Sequence, residues 1–176
     1  GNFRKEIYPA YKGTRKEIEP DVKEALNYGH KYMVEKYSAV EADDMEADDL
    51  VSIWAAECRS VNQEYTVVGI DKDLLQIPGT HYNFVKKELF YITKEEAVYN
   101  FYMQFLVGDA ADNIKGAKGI GEKKAAKLLS DVTDECELYD LCLGDGGYKG
   151  DADLLLENAR LLWLRRYEGQ MWEPPK

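Results

Sequence analysis

The reading turns on residues 108–129, "GDAADNIKGAKGIGEKKAAKLL". Acids and lysines in one short stretch ordinarily mark a solvated surface. Here their order separates them: Asp109 and Asp112 come first, then Gly119-Ile120-Gly121, then Lys123, Lys124 and Lys127. A Gly-hydrophobic-Gly turn lets the backbone approach a phosphate closely, and the helix that follows offers free N–H groups. The lysines add charge without a base-reading pattern, so binding there should ignore sequence and weaken with salt. The bland alternative is a helix cap and a turn. The order is that of a metal site handing over to a phosphate site.

Two further acidic segments support a metal. In "GIDKDLL", residues 69–75, Asp71 and Asp73 follow the β-branched run "YTVVGI". Residues two apart in an extended chain point to one side, and open α/β sheets hold ligands at strand ends. The alternative is a strand-ending turn with its acids in water. In "EADDL", residues 46–50, Glu46 and Asp49 are three apart and share one face of a helix start, where negative charge is favoured. Asp48 points elsewhere if the helix has already formed. N-capping is the competing reading, and the near-copy Glu41–Asp44 leaves open which copy acts. Residues 41–49 hold six acids and no base, a repulsion that cations would offset. Oxygen donors suit Mg²⁺ or Mn²⁺ rather than zinc. An EF-hand is excluded by its missing Gly and Glu. His30 and His81 stand alone, and neither a nucleophile triad nor a P-loop is present.

The composition agrees with a soluble globular domain. The chain has 176 residues, 45% hydrophobic and 32% charged, enough for a buried core. A net charge of −10 argues against a nucleic-acid partner until its distribution is considered. Residues 1–16 carry Arg4, Lys5, Lys12, Arg15 and Lys16 against Glu6, and residues 115–127 hold five lysines against Glu122. Basic segments around an acidic centre suit cations in a pocket and phosphates at its rim. No apolar run reaches the ~20 residues of a membrane span and no leader pattern opens the chain. Cys58, Cys136 and Cys142 lack metal-type spacing and read as reduced thiols of a cytoplasmic protein.

The pattern predicts an irregular start and a helix in "DVKEALNYGHKYMVEKY", capped by Asp21, with an apolar Val22, Leu26, Met33 stripe. A second helix follows in "EADDLVSIWAAECRSV", with Ala47, Leu50, Trp54 and Cys58 as its core face. "YTVVGI" is the clearest strand, with weaker ones in "HYNFV" and "LFYI". A capping box, Thr93 to Glu96, opens the helix "TKEEAVYNFYMQFLV". An acidic helical stretch, a Gly-rich loop and a last helix, "ADLLLENARLLWLRRY", complete the chain. An α/β core needs several strands and only one is clear here, so an absent N-terminal part is expected.

Together, "FRKEIYPAYKGTRK", "EADDLVSIWA", "GIDKDLLQIPG" and the opening stretch resemble the 5′-nuclease family in its own order. That family includes flap endonucleases, the 5′-exonuclease domain of bacterial DNA polymerase I and phage 5′–3′ exonucleases; "DKDLLQIPG" and "NARLLW" look most like the phage enzymes. The resemblance implies a PIN-like α/β core over residues 1–107 and a helix-three-turn-helix, or helix-hairpin-helix, module with C-terminal helices over 108–176. It implies that Glu46, Asp48, Asp49, Asp71, Asp73, Asp109 and Asp112 bind two divalent ions, Mg²⁺ or Mn²⁺. Those ions would stand ~3.5–4 Å apart and hydrolyse a phosphodiester near a 5′ end. Lys12 and Arg15 match the family's basic pair at the scissile phosphate, and Tyr11 matches a residue expected to stack on the terminal base. Arg4, Lys16, Gly119, Ile120, Gly121, Lys123 and Lys124 are the implied DNA contacts, with K⁺ at the hairpin. The implied partners are DNA with 5′ ends, flaps or nicks, and RNA primers.

Family members begin with a strand bearing a metal-binding Asp, and another Asp precedes the "FR" motif. This chain starts at "GNFR" and has neither, so a fragment is expected, with a second chain as one source of the absent strand. The alternative function is an impaired fragment that binds metal and duplex DNA without cleaving. An RNA-cutting PIN-type ribonuclease is disfavoured by the Gly-Ile-Gly hairpin, and a ligand-free acidic protein by the placement of the acids.

Overall fold

The computed structural model describes residues 2–176. A short helix α1 (Phe3–Ile7) leads through turns to α2 (Pro20–Tyr37), and α3 (Ala47–Ser60) runs back toward the strands. Strand β1 (Thr66–Val68) pairs in parallel with β2 (Gly79–Asn83), which pairs antiparallel with β3 (Glu88–Ile92). A 3-10 helix (Lys72–Gln76) links β1 to β2. The long helix α4 (Lys94–Val107) then enters a two-residue hairpin, β4 (Gly108–Asp109) and β5 (Ile114–Lys115). Helices α5 (Glu122–Leu128), α6 (Glu135–Leu143) and α7 (Ala152–Leu162) follow.

The expected strands in "HYNFV" and "LFYI" are thus present as β2 and β3, turning at Lys87 with φ 59°. Thr93 and Glu96 form the expected reciprocal capping box of α4. Its apolar side, with Phe101, Tyr102, Phe105 and Leu106 buried, is the axis of the main core. Leu129, Leu138, Tyr148, Leu155 and Trp172 pack around it, so this core crosses the expected boundary at residue 107. A smaller cluster of Ala55, Val67, Leu74, Ile77 and Leu164 lies between α3 and the sheet.

Three expectations are corrected. Helix α2 begins with Pro20 at its first turn, where a missing N–H costs nothing, and Glu19 rather than Asp21 stands at the cap position. Its periodic apolar residues Val22, Leu26 and Met33 are 51%, 47% and 47% exposed, and no residue of α2 is buried. In α3 the buried residues are Asp49, Ser52, Ile53 and Ala55, while Trp54 is exposed. The face is rotated because Asp49 is drawn inward by a buried cation. The last helix stops at Leu162, since the Leu164 and Arg165 N–H groups turn to the Gln76 and Asp49 side chains at 3.3 and 3.2 Å.

Glycine is decisive where the hairpin meets α4. A Cβ on Gly116 would collide with the Leu106 carbonyl oxygen, and one on Gly108 with the Gly116 backbone nitrogen. Gly108 also has φ 81°, a conformation that side chains resist. These two positions let the β4–β5 hairpin press directly against the end of α4.

Candidate metal centre

The seven acids expected to act together fall into three environments. Asp71 and Asp73 leave the sheet at the C-terminal end of β1, where the 3-10 helix starts and Asp71 Oδ1 caps the Asp73 N–H at 3.0 Å. Asp48, in the first turn of α3, faces this pair. Burial raises the Asp48 carboxyl to about 6, and the charges of Asp71 and Asp73 add to the shift. Burial and then the Asp71 charge raise Asp73 to about 6 as well, against the opposing hydrogen bond from Gln104. Among the described residues, Asp48 has no protein hydrogen-bond partner, and Asp71 and Asp73 each keep one oxygen free.

Glu46, Asp109 and Asp112 are near but held by the chain's own cations. Glu46 receives Lys12 Nζ, Asn2 Nδ2 at 3.0 Å and the Tyr11 hydroxyl at 3.1 Å. Asp112 receives Arg15 Nη2 at 2.7 Å and the Tyr11 hydroxyl at 2.9 Å. Asp109 receives the Ala111 N–H at 2.8 Å on Oδ1 and pairs with Lys72 at 2.8 Å through Oδ2. Burial disfavours its charge, yet the Lys72 bond and charge hold its carboxyl below the usual range. Asp109 and Asp112 arise from the β4–β5 hairpin and its turn, not from a helix start, and the left-handed φ of Asn113, 62°, closes that turn.

Asp49 stands apart. It is 0% exposed, and Arg4, 2% exposed, grips it with Nη1 at 2.5 Å and Nη2 at 2.9 Å. Asp49 also closes the α3 capping box by accepting the Glu46 N–H at 3.1 Å. With both oxygens engaged it has no lone pair aimed at Asp71 or Asp73. The i, i+3 pairing of Glu46 and Asp49 is therefore a helix cap, and Asp48 is the residue that joins the strand-end acids. The second EADD copy carries this cap, while Glu41, Asp43 and Asp44 lie exposed in the preceding loop.

The basic residues divide similarly. Lys12 sits in the left-handed region, φ 57°, with its N–H on the Asp112 carbonyl at 2.9 Å, which aims its ammonium at Glu46. Arg15 is exposed beside Asp112, and Lys16 is exposed. Arg4, expected on DNA, is inside the protein: Nε and Nη2 also donate to the Leu161 and Trp163 carbonyls at 2.7 and 3.0 Å. Tyr11, expected to stack on a base, has its ring in the core at 3% exposure and only its hydroxyl in the site. Burial first, and the Glu46 charge second, keep that hydroxyl protonated far above its ordinary range. Gly119 takes φ 78° with open space around it, Ile120 packs against the main core, and Gly121 caps α5. Lys123 is exposed, whereas Lys124 folds back to the Gly119 carbonyl at 2.8 Å.

Two participants were missed from sequence. Gln104 of α4 bonds Asp73 and is in turn bonded by Gln76 at 2.7 Å. Its signal was a lone amide in the apolar run "FYMQFLV". Lys72, between the two strand-end acids, was overlooked as a cation beside them.

The donor chemistry fits a hard divalent ion: oxygen ligands only, with two carboxyls raised first by burial and then by neighbouring charge. Among the described residues, no three acids, Asp48, Asp71 and Asp73 included, stand as placed in a group that could hold a metal ion, and protein cations occupy Glu46, Asp109 and Asp112. No described helix is long and apolar enough to cross a membrane.

Residues 1–103 match the family model for the 5′-3′ exonuclease N-terminal resolvase-like domain. DNA polymerase I of Borreliella burgdorferi is 35% identical over 146 residues, covering 72% of this chain and 15% of the polymerase. DNA polymerase I of Rhizobium leguminosarum is 30% identical, covering 89% of this chain and 15% of the polymerase. The chain therefore spans about a seventh of these relatives' length. Among solved structures, a T5 5′-exonuclease with bound divalent zinc ions superposes with a TM-score of 0.73 at 19% identity, covering 91% of this chain and 69% of that one. A bacteriophage T5 flap endonuclease in a pseudo-enzyme-product complex with DNA and metal ions gives 0.70 at 20% identity, covering 91% and 69%. With more than half its length matched by that model, the chain belongs to the 5′-3′ exonuclease family, through its N-terminal resolvase-like domain.

Proposed function

We propose that this chain carries the metal-binding core of a 5′-nuclease that hydrolyses DNA phosphodiesters at 5′ ends, flaps or nicks, RNA primers included. The observation that carries the proposal is the trio Asp48, Asp71 and Asp73: the Asp71 charge acts on both of the others, and each keeps an oxygen without a hydrogen-bond partner among the described residues, while Lys12 and Arg15 hold the neighbouring Glu46 and Asp112. Mg²⁺ or Mn²⁺ is the cofactor this donor set suits, with Asp48, Asp71 and Asp73 as the principal ligands and Glu46, Asp109 and Asp112 as further ones. Divalent ions held there supply an activated water and positive charge against the leaving oxygen.

The chain's own residues do the rest. Arg15 binds and orients the phosphate, and Lys12 offsets the charge that grows on it in the chemical step. The Tyr11 hydroxyl, its single proton shared between Glu46 and Asp112, holds the two acids in place. The Gly119–Gly121 turn and Lys123 grip the duplex backbone without reading bases, and a K⁺ at the turn would have to displace Lys124 from the Gly119 carbonyl. The homologous polymerases and the DNA-bound flap endonuclease neighbour support DNA as the substrate.

A 5′-labelled flap DNA incubated with the 176-residue chain tests this reading. Short 5′ products are expected with Mg²⁺ or Mn²⁺, none with EDTA, and a loss of at least about a hundredfold in Asp73→Asn. Metal-independent cleavage, or full activity in Asp73→Asn, would contradict it.

A further inference from the structure

Three acids of the site are each held by a cation of the chain: Glu46 by Lys12, Asp112 by Arg15 and Asp109 by Lys72. Lys12 and Arg15 have a role at the phosphate, whereas Lys72 has none so far. Its position is unusual, because it lies between Asp71 and Asp73 in sequence yet reaches across to the β4–β5 hairpin.

The geometry at Asp109 makes this contact consequential. Oδ1 is committed to the Ala111 N–H at 2.8 Å, so Oδ2 is the oxygen left for a ligand, and Lys72 Nζ holds it at 2.8 Å. Asp109 is buried at 7% exposure, but the Lys72 side chain is 60% exposed and has no other ion pair among the described residues. It can leave for water at little cost. It also lines the large groove of about 1030 Å³ that runs past Asp71 and Leu74 toward the inner sheet face and α4, so space exists for the displaced ammonium.

We propose that Lys72 is a built-in competitor for divalent metal at Asp109: it neutralises Oδ2 when the ion is absent and must be displaced for Asp109 to become a ligand. The inference rests on the divalent-metal reading above. Lys72 then sets the metal concentration at which the site fills, and the exchange of one protein cation for one divalent ion keeps Asp109 from being buried with an unpaired charge.

Mn²⁺ titration of the chain without DNA, with free Mn²⁺ followed by its EPR signal, tests this apart from turnover. Lys72→Ala is expected to bind the Asp109-dependent ion roughly threefold to tenfold more tightly than wild type. Lys72→Arg should stay near wild type. In an Asp109→Asn background the Lys72→Ala gain should disappear, since no carboxylate is then left at that position for the ammonium and the divalent ion to compete for. Equal or weaker binding by Lys72→Ala, or a gain that persists in Asp109→Asn, overturns the proposal while leaving the metal reading intact. Mn²⁺ binding that is indifferent to Asp73→Asn overturns both.

Discussion

Replacing Arg4 with Met is expected to cost about 3–5 kcal/mol of folding stability, the penalty for stranding a buried charge. Asp49 would lose both guanidinium contacts in a place with no solvent access. The loss extends beyond one pair. Arg4 ties α1 to the start of α3 and, through the Leu161 and Trp163 carbonyls, to the end of α7. Phe3 reinforces the junction, with the Arg165 guanidinium 3.5 Å from its ring centroid. Urea denaturation of wild type and variant measures the effect. A double variant, Arg4→Met with Asp49→Leu, should recover part of the loss because no charge is then left unpaired, although the α3 cap would remain broken. A loss below about 1 kcal/mol in Arg4→Met, the scale of a surface pair, would contradict this placement of Arg4.

Lys12→Ala is expected to lower kcat by roughly 10²–10³ while changing DNA affinity by less than about threefold. The ammonium stands between Glu46 and Asp112 and is only partly exposed, so it adds little to general attraction for the backbone but much to one phosphate. The left-handed backbone at Lys12 and its N–H bond to the Asp112 carbonyl fix where the side chain starts, which is how a flexible residue becomes a directed one. Single-turnover cleavage and fluorescence anisotropy on the same flap substrate separate the two quantities. Equal losses in both would make Lys12 a binding residue and refute its role in the chemical step.

The strand-end acids were legible because their signal is local. A β-branched run followed by Asp-x-Asp states where the strand stops, although Asp73 lies in a 3-10 helix and not in extended chain, so the spacing of two does not fix which way the carboxylates point. The capping box of α4 was equally readable, since Thr93 and Glu96 satisfy each other three residues apart. Asp49 was not readable, because in "EADD" only the distant partner decides which acid turns inward, and Arg4 lies 45 positions earlier. The same limit explains Arg4 itself: an arginine in a basic opening segment looks like a DNA contact until its burial is known. Tyr11 was misread for the converse reason, a tyrosine beside lysines suggesting a stacking platform while its ring belongs to the core. The apolar stripe of α2 has helical spacing but nothing packed over it, and periodicity cannot report an absent neighbour. Lys72 was hidden by its setting, since a lysine between two aspartates reads as their counter-ion rather than as a hand reaching to a third.

The claim on which the account depends is that Asp48, Asp71 and Asp73, and not Asp49, hold a divalent ion. An anomalous difference map from a crystal soaked in Mn²⁺ tests it most directly. The account predicts a peak bounded by Asp48, Asp71 and Asp73, with Asp49 still clasped by Arg4. A peak on Asp49 with Arg4 displaced, or no peak among the three at saturating Mn²⁺, would contradict it.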